Sequence, residues 1–190
     1  ESTGGAGSIS LQTGDITVNS STLTNSVVNG PGSNIIINGN NILVTGSDVS
    51  SGTRGSGHAG SINIVSSSSD ENTLTAVLEI DGSNVSATSS STGNAGNIWL
   101  EAQIDGDNSL SRGAKISAST LGQGSGGDVD ITAGILLVID GSVIRTQTTG
   151  PGQAGRLSVN VTEQIEISGF STDGQLQLSE LSTITSDSDG

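Results

Sequence analysis

The sequence predicts an all-β chain folded as a parallel β-helix, a solenoid of about six triangular rungs of roughly 27 residues each. Three observations carry this reading. A pair of alternating apolar residues recurs along the chain. The distance from the last strand of one unit to the first strand of the next is nearly constant. A glycine-rich turn precedes each unit.

The first strand of each unit is Ile9/Leu11, Ile35/Ile37, Ile62/Ile64, Ile98/Leu100, Val129/Ile131 and Leu157/Val159, with starts 26, 27, 36, 31 and 28 residues apart. Alternation with period 2 marks a strand with one buried face. A second pair follows in most units, at Ile16/Val18, Ile42/Val44, Leu78/Ile80, Leu137/Ile139 and Ile165/Ile167. A third apolar position falls at Leu23, Val49, Val85, Ile116 and Ile144, with Ile184 taking its place in the sixth unit. From third strand to next first strand the spacing is 12, 13, 13, 13 and 13 residues. Three short strands per unit make a coil of triangular section. Parallel strands stacked at ~4.8 Å give a rod of roughly 25–30 Å, in which neighbouring rungs complete each other's core.

The longer gaps place insertions near 66–75, 105–111 and 170–180, the last as a small hairpin containing Leu176 and Leu178. The repeat fills the chain, so residues 1–190 read as a single segment of a longer repetitive protein. The glycine-rich turns are Gly52–Gly60, Gly93–Gly96, Gly122–Gly127 and Gly150–Gly155. Glycine closes a coil sharply through positive φ and lets stacked backbones approach closely. Before each first strand stand Ser8, Asn34, Ser61, Asn97, Asp128 and Arg156. Their short polar members are expected to bond backbone along the stack rather than to form a ladder for a ligand.

Composition agrees with a thin core. The chain has 29 glycines, one Trp, one Phe and no Tyr, Met or Cys, and 31% of its residues are hydrophobic. Low hydrophobicity with high charge is also the signature of disorder, but the strict register argues for folding. A net charge of −14 excludes the basic footprint of nucleic-acid binding and disfavours adhesion to anionic lipid. No apolar run approaches the ~18 residues of a membrane-spanning helix, and no signal peptide opens the chain.

With the register established, the chain resembles the repetitive shaft of filamentous-haemagglutinin-type exoproteins, including large cyanobacterial ones. The likeness lies in Gly96-Asn97-Ile98, Ile116-Ser117-Ala118-Ser119-Thr120 and Asp140-Gly141-Ser142-Val143-Ile144, and in the turns Thr92–Gly96 and Gly152–Gly155. It covers nearly the whole chain. It implies a right-handed β-helix, export through an outer-membrane secretion partner, an extracellular or cell-surface location, and service as an adhesin shaft or fibre. The Asn-Pro-Asn motifs of the family's secretion domain are missing, since the only prolines are Pro31 and Pro151 in Gly-Pro-Gly turns.

Polysaccharide-cleaving β-helices need clustered carboxylates, or calcium with a basic residue. The basic residues Arg54, Arg112, Lys115, Arg145 and Arg156 fall at different phases of the repeat. Asp81 and Asp140 are read as sharing a phase, but each sits in an Asp-Gly-Ser turn, which favours Asp for backbone reasons. His58, the only histidine, reads as an exposed turn residue, too solitary for a histidine metal site. Asp105-Gly106-Asp107-Asn108 is the best candidate for calcium, with a solvated acidic insertion as the favoured reading. Gly124–Asp128 resembles the calcium nonapeptide only superficially, and Asp187 and Asp189 read as a turn. Thr88, Thr120, Thr148 and Thr149 lack the recurring Thr-x-Thr of an ice-binding face. Asn19, Asn84 and Asn160 open glycosylation sequons that a Ser/Thr-rich chain produces by chance.

The sequence therefore predicts a non-enzymatic module with no catalytic, cofactor or metal site. Expected partners are other copies or flanking rungs at its ends, and a glycan or cell-surface ligand. A polysaccharide-binding or polysaccharide-cleaving protein and the shaft of a toxin-delivery protein are the alternatives.

Overall fold

The computed structural model describes residues 5–67, 76–102, 107–169 and 183–188. They form stacked coils of parallel strand, with no helix among them. The first face carries β1 (Ile9–Gln12), β4 (Ile35–Gly39), β7 (Ile62–Ser66) and β10 (Ile98–Ala102), then the leading halves of β13 (Val129–Ile139) and β15 (Leu157–Ser168). The second carries β2 (Ile16–Asn19), β5 (Ile42–Thr45), β8 (Val77–Asp81) and β11 (Asp107–Ser111), then the trailing halves of β13 and β15. The third carries β3 (Thr22–Val27), β6 (Asp48–Thr53), β9 (Asn84–Ser89), β12 (Lys115–Thr120), β14 (Val143–Thr148) and β16 (Thr183–Ser188). Strands thus stack six deep on each face, which makes about five full turns of solenoid against the six rungs expected. Five rises between them span roughly 24 Å.

The register follows the apolar repeat residue for residue on the first face: Ile9, Ile35, Ile62, Ile98, Val129 and Leu157 lie in one row. On the third face Leu23, Val49, Val85, Ile116, Ile144 and Ile184 do the same. These rows point inward, and the central members are completely buried. Each buried Ile, Leu or Val contributes about 1.5–3 kcal/mol by leaving water. A row one rung wide cannot hide both flanks of its side chains, so the energy comes from stacking.

The second face holds four of its five expected pairs in register and corrects the pair Leu137/Ile139. Leu136 and Val138 are the buried pair, in line with Leu78 and Ile80, while Leu137 and Ile139 face outward. Because Ile135-Leu136-Leu137-Val138-Ile139 is apolar throughout, alternation cannot say which residues turn inward. The backbone decides it. The pairing of β13 with β15 shifts between Ala133 and Ile135, so that Thr162 and Glu163 together oppose Gly134. That bulge lets β13 and β15 pass the first corner without a loop, and it joins two faces into one ten-stranded sheet.

The insertion expected at 105–111 is also corrected. Residues 107–111 are strand β11, paired on both sides, and Leu110 is fully buried. One apolar residue, with Asn108 in register with Leu78 and Leu136, is too faint a pattern for alternation to register. The rest of that insertion, positions 105–106, lies outside the described residues, as do 68–75 and 170–180.

Glycine serves two different purposes at two different corners. The corner before the third face holds the left-handed residues: Ser20, Gly46, Gly82, Arg112 with Gly113, and Asp140 with Gly141. At the glycine-rich corner before the first face, positive φ occurs only at Gly30 among the described glycines. There the demand is space. Gly30, Gly57, Gly93, Gly124 and Gly152 stack in a row, and a Cβ on Gly124 would lie 2.1 Å from the carbonyl oxygen of Gly93. A parallel row runs Gly60, Gly96, Gly127 and Gly155, with equally short distances of 2.0–2.1 Å.

Candidate functional site

The polar residues singled out in the sequence sit mainly in ladders that tie one rung to the next. The row before the first face is the clearest. Asn34 Oδ1 accepts the backbone N–H of Ser61 at 2.9 Å, and Ser61 Oγ that of Asn97 at 3.2 Å. Asn97 Oδ1 accepts the N–H of Asp128 at 3.0 Å, and Asp128 Oδ1 that of Arg156 at 2.7 Å. The expected backbone role of this row is what the structure displays. The chain needs it, because the turn preceding each strand has donors that no sheet partner meets.

His58 is the exposed turn residue expected, and it belongs to a second such ladder. Its Nδ1 accepts the N–H of Asn94 at 3.0 Å, and Asn94 Oδ1 accepts the N–H of Ser125 at 3.0 Å. An accepting Nδ1 places the ring proton on Nε2. Asn94 performs the same task one rung on, so His58→Asn should retain the stability of the native chain. His58→Ala should cost about 1 kcal/mol in urea unfolding and speed hydrogen exchange at the Asn94 amide. Equal behaviour of the two variants would remove His58 from the ladder.

A third ladder lies inside the corner before the third face. The N–H of Ser21 donates to Ser47 Oγ at 3.1 Å, and that of Ser47 to Ser83 Oγ at 3.0 Å. Ser47 Oγ and Ser83 Oγ in turn donate to the carbonyls of Val18 and Val44 at 3.1 and 3.0 Å. Ala114 replaces serine in the fourth rung. In the fifth, Ser142 Oγ is buried without a partner. Outside these turns runs a shallow groove of about 390 Å³, lined by Ser21, Gly46, Ser47, Gly82, Ser83 and Lys115.

Asp81 and Asp140 do not share a phase, contrary to the sequence reading. Asp81 ends β8 in register with Thr45 and Ser111, whereas Asp140 follows the end of β13 in the left-handed region at φ 54°. The motif is the same, but the turn in the later rungs is one residue longer. Asp81 is buried and accepts from Ser111 Oγ at 3.0 Å and from Arg112 Nε at 2.5 Å, with Arg112 Nη2 forming the second arm of the ion pair. This fork binds rung three to rung four. A bidentate guanidinium–carboxylate pair is among the stronger polar contacts available to a fold. Arg156 pairs with Asp130 at 2.9 Å in a more exposed setting, where such pairs contribute little.

Gly124 belongs to the glycine row and Asp128 to the first ladder, so that stretch is structural. Asp107 and Asn108 lie on β11, and Asp105 is outside the described residues. Asp187 lies on β16, while Asp189 is outside the described residues. Among the described residues no group of three or more His, Asp or Glu side chains is placed to share a metal ion. Thr120 and Thr148 point inward and are completely buried, which takes them off any ice-binding face.

Those two threonines reveal a role that alternation by itself does not disclose. On the third face the interior changes from aliphatic to hydroxyl as it nears the glycine corner. Thr120 Oγ1 donates to the Ser125 carbonyl at 2.7 Å, Thr146 Oγ1 to that of Gly155 at 2.7 Å, and Ser51 Oγ to that of Ser33 at 3.1 Å. The corner's carbonyls are thereby met from within the coil. The signal was present as a Ser, Thr or Ala recurring two and four residues after every third-strand apolar position but Leu23, as in Val49-Ser51-Thr53.

The exterior of the first face is different in kind. Trp99 stands there 47% exposed, in a row with Ile36, Asn63 and Asp130. Its Nε1–H donates to Glu101 Oε2 at 3.0 Å. On the same face Asn38 Oδ1 and Asn63 Oδ1 are shielded from solvent without a hydrogen-bond partner, a condition that costs about 1–3 kcal/mol for each group. Among the described residues no helix is long and apolar enough to cross a membrane.

Comparison of the chain with family models, with curated proteins and with solved structures finds no match.

Proposed function

We propose that this chain is a non-catalytic structural module, a length of extracellular shaft in a surface adhesin or fibre. The observation that carries the reading is the continuous register of all three faces, six strands deep, with its polar groups bonded from rung to rung. Side chains engaged in that way hold shape and add length, and a solenoid gains length one rung at a time. The resemblance to filamentous-haemagglutinin-type shafts supports the same assignment and brings with it export through an outer-membrane partner.

The end of the stack supports a role in continuous assembly. Ile165 and Ile167 stand in line with the fully buried Leu136 and Val138, yet are 51% and 50% exposed. A further coil, from the same chain or another copy, would cover them and pair the outer edge of β15. Antibodies raised against this segment should label intact cells of the source organism. Labelling only after permeabilisation would overturn the extracellular assignment. Incubation with a broad glycan panel should leave every chain uncut, and cleavage of any of them would overturn the non-catalytic one.

A further inference from the structure

We infer that the outer surface of the first face around Trp99 is a binding platform for a neutral polysaccharide. The inference is independent of whether the module is a shaft, since it rests on the composition of one face. Trp99 is the only tryptophan of the chain, and it lies outside the core where every other strand of its row carries a smaller side chain. Burying an indole would be the ordinary use of so large an apolar group. Here its Nε1–H is held by Glu101, two residues along the same strand face, so the ring is laid along the sheet and its orientation is fixed before any ligand arrives. A fixed aromatic plate loses little freedom on binding.

The surroundings select the occupant. Asn63 is the neighbour of Trp99 in the preceding rung, and Asn38 lies on the same face one rung further; each has an amide oxygen without a partner. Rotation of Asn63 brings its amide to the surface beside the ring, and rotation of Asn38 brings its amide to the same face two rungs from it, in the column of Glu101, where a hydroxyl can satisfy each. Ile36 and Val65, half-buried, lie between these polar groups on the same face. Apolar and amide groups therefore alternate over three rungs. A pyranose chain offers the matching alternation, with C–H faces for the ring and hydroxyls for the amides. Charge excludes the acidic members of that class. Glu101 flanks the ring, Asp130 on its other side is paired with Arg156, and the chain carries −14 overall, so a uronic or sulfated chain would be repelled.

The test uses the fact that this tryptophan is the only one. Its emission in the native chain reports on this surface alone, and titration with neutral hexose oligosaccharides of about six units should give a saturable change. Calorimetry on Trp99→Ala should find binding weakened at least tenfold. Asn63→Ala should weaken it several-fold while its tryptophan emission before ligand stays native. No saturable response across glucan, mannan, galactan and chitin oligosaccharides would overturn the proposal. So would undiminished binding by Trp99→Ala, or tighter binding of acidic than of neutral chains. An emission shift that follows protein concentration without sugar would also overturn it, by assigning the face to a second copy of the chain.

Discussion

Gly124→Ala should lower the stability of the chain by about 3 kcal/mol or more, whereas Gly14→Ala should change it by less than about 1 kcal/mol. Both are glycine-to-alanine changes at positions without positive φ, so intrinsic backbone preference does not separate them. Space does. A methyl at position 124 would lie 2.1 Å from the Gly93 carbonyl oxygen and 2.5 Å from its carbon, whereas at position 14 the nearest atom is Asn40 Nδ2 at 4.0 Å. The Gly93 obstacle is backbone, held in a row with Gly57 beneath it and Gly152 on the far side of Gly124. The corner can admit the methyl only by separating two rungs. That separation would also strain the bonds flanking the corner, including the N–H of Ala95 to the Ser125 carbonyl at 3.0 Å. Urea unfolding followed by circular dichroism measures both variants. A Gly124→Ala chain as stable as Gly14→Ala would mean that the corner yields freely, and the glycine rows would lose their explanation.

The same rows explain how much of the fold was legible in the sequence. The first and third faces were read to the residue, because Val49 and Ile62/Ile64 sit at a fixed distance across a turn whose length the stacked glycines hold nearly constant. A turn that tolerates no Cβ tolerates little variation in length. The second face lacks that constraint, and there the reading failed at Leu137/Ile139 and at β11 while its other four pairs held. Its leading corner is a short turn in the first two rungs, falls on residues outside the described ones in the third and fourth, and is a bulge at Gly134 in the fifth. Changing the corner by one residue reverses which side of a strand faces inward. In Leu136-Leu137-Val138 nothing in side-chain chemistry marks the reversal, and in β11 the pattern is carried by Leu110 alone.

The site was legible to a similar degree and for the same reason. The row of Asn34, Ser61, Asn97 and Asp128 could be assigned to the backbone because it sits at one phase of the most regular strand. His58 could not, because a histidine among Asn94 and Ser125 hides a shared role behind dissimilar side chains. The ion pair of Asp81 with Arg112 was obscured by a repeated Asp-Gly-Ser motif that falls in turns of unequal length. Sequence similarity at that corner does not imply structural equivalence.

Ile98→Ala should cost about 3–4 kcal/mol, and Ile165→Ala less than about 1 kcal/mol. Both residues are isoleucines on inward rows of the solenoid. Ile98 lies between Ile62 and Val129 and is fully buried, so its truncation leaves a void bounded by side chains of three rungs. Those rungs cannot close on it, because their spacing is fixed by backbone hydrogen bonds on either side of the gap. Ile165 stacks on Leu136 and is 51% exposed, so truncation there removes contact with one neighbour and water fills the space. A globular core ranks its residues by depth from the surface in every direction. In a solenoid the ranking should run along one axis, with the centre of the stack costly and the ends cheap. Unfolding of the two variants by urea checks the contrast directly. A cost for Ile165→Ala approaching that of Ile98→Ala, and growing with protein concentration, would mean that the exposed end of the coil is already covered by another copy in solution. That outcome would turn the end of the stack from a free edge into an interface, and Ile167→Ala should then be costly for the same reason.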